Sequence, residues 1–205
     1  TTLLFIYVYN LEFVAVPVLT GARLALMVLI ATYAGAIRDE WNALYRRHLV
    51  AVLSIAGAMV YSGVLTFATG DWSQTSRLFH FLVYSVFGAA VWSAVERKRV
   101  GVSDANAAFV NRFGAVTAVQ SALILVSLAS VDFRLFVNDV LVRGGNIDFV
   151  SALRPPGFSN SGGAALSVIQ ALGVFAAFDC ARRATAKREA WLWHDAAVGG
   201  LAATM

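Results

Sequence analysis

The chain has 205 residues, 59% of them hydrophobic and 14% charged, with a mean hydropathy of +0.70. That is too apolar for a soluble domain of this length. The net charge of +4 sits mostly in short basic segments, which points to membrane orientation rather than nucleic-acid binding, and the single cysteine, Cys180, excludes an intrachain disulfide and a cysteine-based zinc cluster.

In chain order, the first apolar stretch runs from Leu3 to Leu19, with Asn10 and Glu12 near its middle and Pro17 near its end. It is too long for a signal peptide and lacks a basic n-region. A second, shorter stretch runs from Leu24 to Ile37 and ends in Arg38-Asp39-Glu40-Trp41; its length makes it the weakest span. The third, Leu49 to Thr69, carries no charge and is long enough to cross a bilayer core of roughly 30 Å. The fourth runs from Leu78 to Val95, the fifth from Phe113 to Val131 and the sixth from Gly162 to Phe178; a seventh begins near Ala196. The pattern predicts an all-α, polytopic transmembrane helix bundle, residues 1–205 forming a single transmembrane domain of about six spans plus the start of a seventh. The chain opens on Thr1 and stops at Met205 inside an apolar stretch, so it is expected to be the N-terminal part of a longer protein.

Loop charge sets the expected orientation. Segments 38–48, 96–112 and 181–192 hold eleven Lys and Arg residues (three, four and four), and segments 20–23, 70–77 and 132–161 hold five (one, one and three). The positive-inside rule puts the first group, and the N-terminus with it, in the cytoplasm. Trp41, Trp92, Trp191 and Trp193 then fall near the inner boundary and Trp72 near the outer one, where indole rings anchor.

The outer segment, 132–161, is the one long loop on its side. Phe133, Phe136, Val137, Val140 and Leu141 fall at i, i+3, i+4, i+7 and i+8, one face of a short amphipathic helix. Asp139 and Arg143 stand i, i+4 on its polar side. Gly144-Gly145 ends it, and Asn146 can cap a second short helix through Leu153. Such helices lie in the headgroup region and hold Arg134, Arg143 and Arg154 at the outer boundary, as ligands of an anionic substrate or of membrane lipid headgroups.

The segment closes on Arg154-Pro155-Pro156-Gly157-Phe158-Ser159-Asn160-Ser161-Gly162-Gly163, followed by the apolar run Ala164–Phe178. Pro155 pushes Arg154 out of the α region, Gly157 permits a sharp turn, and Ser159 or Asn160 can cap the helix that follows. An arginine and a helix N-terminus facing one small space make an anion site. The same residues also suffice for a plain loop and N-cap between two spans.

This stretch resembles the arginine–glycine–asparagine motif that opens a mid-chain helix in bacterial O-antigen ligases and O-antigen polymerases. Arg154, Gly157, Phe158 and Asn160 match it, while Ser161-Gly162 stands where that family usually has proline–asparagine. Gly199-Gly200-Leu201-Ala202-Ala203-Thr204 looks like the approach to the family's next signature. The resemblance covers about ten residues in motif and most of the chain in topology. It implies a metal-independent membrane glycosyltransferase of the bacterial inner membrane, without a cofactor. Its donor is a glycan on a polyprenyl-diphosphate carrier, and its acceptor is lipid A core or another lipid-linked repeat unit. Arg154, Gly157 and Asn160, with Arg143 and Arg134, would bind the diphosphate on the periplasmic face. Arginines suit a leaving diphosphate, whose charge grows in the transition state.

Other polar residues have two readings each. Glu12 is costly in hydrocarbon, on the order of 3 kcal/mol, unless it is functional, paired with Arg23 or close to the interface. Gln120 and Gln170 are placed to hydrogen-bond between helices. His80 lies near the outer end of the fourth span, packed there or facing the donor site. Asp179 has Arg182 and Arg183 within reach for a local ion pair. The alternative function is a non-enzymatic membrane protein, such as a transporter half or an assembly subunit, although no internal repeat relates the first three spans to the next three.

Overall fold

The computed structural model describes residues 1–11, 20–47, 49–72, 75, 79, 87–140 and 163–204, and the described residues form eight helices and no strand. They divide into two compact units, one of residues 1–25 and 107–205, the other of residues 26–106. Helix α2 (Gly21–Arg47) carries the chain from the first into the second.

The second unit holds most of α2, then α3 (Leu49–Thr69) and α4 (Gly88–Val100). The helix that carries the second apolar stretch is longer than that stretch: it does not stop at Ile37 but continues through the charged Arg38-Asp39-Glu40 to Arg47. Straight-chain charged residues are good helix formers and cost the helix little. The helix kinks at Tyr33, whose φ of −125° and ψ of 23° leave the α region. Just before it, Thr32 Oγ1 donates to the Val28 carbonyl at 2.7 Å, a back-bond of the kind that bends helices.

Helix α3 has the bounds expected of it, and its surface is inverted relative to a soluble protein. Phe67 is 90% exposed, and Val50, Leu53, Val60, Tyr61 and Val64 also face outward. Among its described side chains the buried ones are Ser62 and Thr66. Thr75 ties them together: its hydroxyl meets Ser62 Oγ at 2.8 Å and Thr66 Oγ1, and donates to the Ser62 carbonyl at 3.1 Å. In water each large apolar side chain left out would forfeit roughly 1.5–3 kcal/mol. In lipid that penalty vanishes, and hydroxyls must find partners inside. The helix ends at Gly70, whose φ of 72° lets its N–H cap the Thr66 carbonyl at 2.8 Å.

The first unit begins with α1 (Thr2–Val8), only seven residues long. The expected span from Leu3 to Leu19 is therefore not one continuous helix. Asn10 takes a positive φ of 45°, and the break is stapled: Gly21 N–H donates to the Leu11 carbonyl at 2.6 Å and Ala22 N–H to Asn10 Oδ1 at 3.3 Å. Asparagine tolerates this backbone because its short side chain bonds locally. Glu12 and His80 lie outside the described residues.

The unit continues with α5 (Ala105–Ala129), α6 (Val131–Val140), α7 (Gly163–Arg183) and α8 (Lys187–Thr204). Helices α7 and α8 share a core of Val174, Ala177 and Ala197, with Trp193 and Ala196 packed on it. Three glycines let α5, α7 and α8 approach closely. A Cβ on Gly173 would collide with the Thr117 side chain, one on Gly200 would meet Val174 Cγ2 at 2.7 Å, and one on Gly114 would press on the Trp193 ring at 3.1 Å. The space they enclose has no room for a water molecule. Small residues at such crossings are how helices pack where the hydrophobic effect gives no drive.

Two described helical stretches, Gly21–Ala43 and Ala105–Ala129, are long and apolar enough to cross a membrane, with Leu53–Thr69 a shorter apolar helix. Only 33% and 39% of their apolar windows are buried, whereas the core helix of a soluble protein is mostly buried. Two of the expected spans thus meet the test among the described residues, and the fold is all-helical as expected. The tryptophans divide. Trp41, Trp72 and Trp191 are exposed as interfacial anchors are, but Trp92 is only 5% exposed and Trp193 packs on the α7–α8 core, because both stand on the inward stripe of their helices.

Candidate functional site

The expected amphipathic helix of the outer segment is α6. Ser130 starts it: its hydroxyl accepts the Phe133 N–H at 3.2 Å, an N-cap, and Asp132 in the first turn complements the helix dipole. Its packed face is centred on Val137, which is buried, with Phe133 and Val140 half-buried, whereas Phe136 is exposed beside Val131 and Leu135. The expected face, which included Phe136, is thus rotated. In a bilayer an outward phenylalanine costs nothing, so apolar periodicity alone does not choose the inward side.

What the rotation brings inward is Arg134, one turn before Val137. The guanidinium Nε and Nη1 are both buried and meet no hydrogen-bond partner among the described residues. Two buried guanidinium nitrogens with no partner among the described residues leave hydrogen-bonding capacity of the kind an anion takes up. The planar fork matches the paired oxygens of a phosphate or carboxylate. Of the residues expected to bind a diphosphate, Arg134 alone is described. Arg143, Arg154, Gly157 and Asn160 lie outside the described residues, as does the second short helix from Asn146. Helix α7 begins at Gly163, nine residues after Arg154.

The first unit also carries a buried polar chain. Ser121 Oγ of α5 donates to Gln170 Oε1 of α7 at 2.9 Å, and Gln170 Nε2 donates to the Tyr9 hydroxyl at 3.1 Å. Gln170 is 1% exposed and Tyr9 is fully buried. Sequence reading pointed to Gln170 but missed Tyr9, 161 residues away, because no local spacing reports a contact between distant helices.

The other polar clusters lie elsewhere. In the second unit Glu40 Oε2 pairs with Arg97 Nη1 at 3.0 Å, and Ser93 Oγ donates to Glu40 Oε1 at 3.2 Å. A hollow of about 360 Å³ beside it is lined by Asp39, Asn42, Ala43 and Arg46, all on one face of α2. At the far end of α7, Asp179 pairs with Arg182 at 3.1 Å and Arg183 at 2.9 Å, the local ion pair expected there; being exposed, such pairs are worth about 1 kcal/mol or less. Cys180, past the apolar run, is buried, and its thiol donates to Asn111 Oδ1 at 3.0 Å. Burial pushes that thiol above its ordinary value, and the nearby Arg183 guanidinium offsets only part of the rise.

The chain matches no known family model, no curated protein and no solved structure.

Proposed function

We propose that the chain is part of a membrane glycosyltransferase that moves a glycan from a polyprenyl-diphosphate carrier to lipid A core or to another lipid-linked repeat unit. The observation that carries the reading is the buried guanidinium of Arg134, without a hydrogen-bond partner at Nε and Nη1 among the described residues. It stands in the segment that the charge split assigns to the periplasmic side, where such carriers present their glycans. Arg134 then clamps the diphosphate together with Arg154, whose proline–glycine turn precedes α7. As the glycosidic bond to the diphosphate breaks, negative charge accumulates on the leaving oxygen, and fixed cations stabilise it with no reorganisation at the moment of reaction.

The test is transfer from a lipid-linked donor by the full-length protein in membranes. Arg134→Ala is expected to lower transfer by about a hundredfold, the loss typical of one such donor, with Arg134→Lys recovering little because lysine lacks the fork. Arg154→Ala is expected to do the same, with protein level unchanged. Near-normal transfer by both alanine variants would remove the reading.

A second reading, a transporter half, draws on the break of the first span at Asn10, since interrupted helices line substrate sites in many transporters. It predicts that Asn10→Leu abolishes uptake of a solute by the full-length protein, while both arginine variants leave uptake intact.

A further inference from the structure

The buried stripe of α7 is Leu166, Gln170, Val174, Ala177 and Ala181, and Gln170 is its polar member. Its neighbours on α5 and α8 meet it through Gly173 against Thr117 and Gly200 against Val174. Contacts of this kind set how close two helices come. Here Thr117 and Val174 are seated in the glycine notches, a purely steric fit that carries no hydrogen bond between the helices. The amide of Gln170 is different. Its oxygen takes the Ser121 hydroxyl at 2.9 Å and its nitrogen gives a hydrogen to Tyr9 at 3.1 Å, so both ends are used, one on α5 and one on the turn that closes α1. A slip of one turn, about 5.4 Å, would break both bonds and strand a buried amide.

We propose that the Ser121–Gln170–Tyr9 chain is a register lock that sets the height of α7 against α5, and that Gln170 is thereby a positioning residue for the anion site at Arg134. The connection is short. Helix α5 ends at Ala129 and α6 begins at Val131, so Arg134 takes its height from α5. Gly163, the first residue of α7, stands seven residues from Gln170, about 10 Å along the axis. Sliding α7 therefore moves the start of that helix relative to Arg134 by the same amount. A lone buried polar group fixing the register of helices at some cost in stability is the best-attested use of such groups. This role of Gln170 rests on the proposed anion site; the lock itself does not.

The experiment reads register and transfer separately. In full-length protein in lipid nanodiscs, with Cys180→Ala as background, spin labels are attached through Leu128→Cys on α5 and Val168→Cys on α7, both outward-facing positions. Pulsed distance measurement is expected to give one narrow distribution. Adding Gln170→Leu is expected to shift or broaden it by several ångströms and to lower the turnover number of transfer at least tenfold at unchanged protein level. Gln170→Glu is the rescue, because a carboxyl held neutral by burial accepts from Ser121 and donates to Tyr9 as the amide does. It is expected to restore both the distance and the turnover, which a loss of bulk packing would not predict. Should Gln170→Leu fail to accumulate, Ser121→Ala removes one bond of the chain at little change in volume and is expected to broaden the same distribution. An unchanged distribution in Gln170→Leu, or in Ser121→Ala where that variant stands in, overturns the lock whatever happens to transfer. A shifted distribution with no transfer even by the unsubstituted protein leaves the lock standing and the glycosyltransferase reading fallen. A shifted distribution with undiminished turnover overturns the positioning role alone.

Discussion

At the scale of the residue, the glycines separate into two kinds that the chain alone does not distinguish. Gly173 has Thr117 where its Cβ would be, and the atoms in the way include the branched Cβ and Cγ2, which cannot swing aside. Gly57, in the middle of α3, has nothing within 4 Å. Gly173→Ala is therefore expected to lower stability by about 1–3 kcal/mol through overpacking. Gly57→Ala should be neutral or stabilising by up to about 1 kcal/mol, because alanine loses less backbone entropy in a helix. Thermal unfolding of the full-length protein in one detergent, followed by tryptophan fluorescence, ranks the two. Equal behaviour would mean that α5 and α7 do not meet through Thr117 and Gly173.

Among the elements, α6 is where periodicity and packing disagree most usefully. It is the most amphipathic of the described helices, yet the side its neighbours bury is turned from the face that spacing alone would choose. The structure buries Val137 and leaves Phe136 outward. Val137→Asp is accordingly expected to destabilise the protein by about 3 kcal/mol or more, as an unpaired buried charge does. Phe136→Asp should cost less, since near the interface a carboxylate reaches the headgroup water. Limited proteolysis of the outer segment in sealed vesicles checks the order. More rapid cleavage of the Phe136 variant than of the Val137 variant would restore the face expected from spacing. The break between α1 and α2 makes a related point. Leu3 to Leu19 reads as one span despite Asn10 and Glu12, and only the hydrogen bonds from Gly21 and Ala22 show that the backbone turns at Asn10.

For the whole molecule, the distribution of polarity is the main result. Among the described residues the interior mixes apolar side chains with the hydroxyls and amides of Ser62, Thr66, Thr117, Gln120, Ser121 and Gln170, while large apolar side chains such as Val60, Phe67, Val126, Val168 and Phe175 are outside. Water would not favour leaving so many large apolar side chains outside. The orientation proposed from loop charge can be tested on the same grounds. Single cysteines at Ser103 and at Asn146 are expected to react with an impermeant maleimide from opposite sides of sealed vesicles, Asn146→Cys from the periplasmic side. Cys180 should contribute little background, since its thiol is buried and held above its ordinary value, hence protonated and unreactive near neutral pH. Labelling of Ser103→Cys from the periplasmic side would invert the orientation, and would place Arg134 where no periplasmic donor could reach it.

Composition and periodicity by themselves determined that the chain is helical, that its long apolar runs suit a bilayer, and that an amphipathic segment follows Ala129. These are properties of consecutive residues, and hydropathy and helix propensity act through consecutive residues. Arg134 was legible as a cation in that segment, though not as the arginine whose Nε and Nη1 are buried without a hydrogen-bond partner among the described residues. That depends on the rotation of α6, which its neighbours decide. Tertiary structure alone decided that Tyr9 meets Gln170, that Trp92 turns inward instead of anchoring at the boundary, and which glycines carry the helix crossings. Each is a contact between residues far apart in the chain. Where lipid removes the penalty for an outward apolar side chain, the hydrophobic pattern loses the directional information that in water would have foretold such contacts.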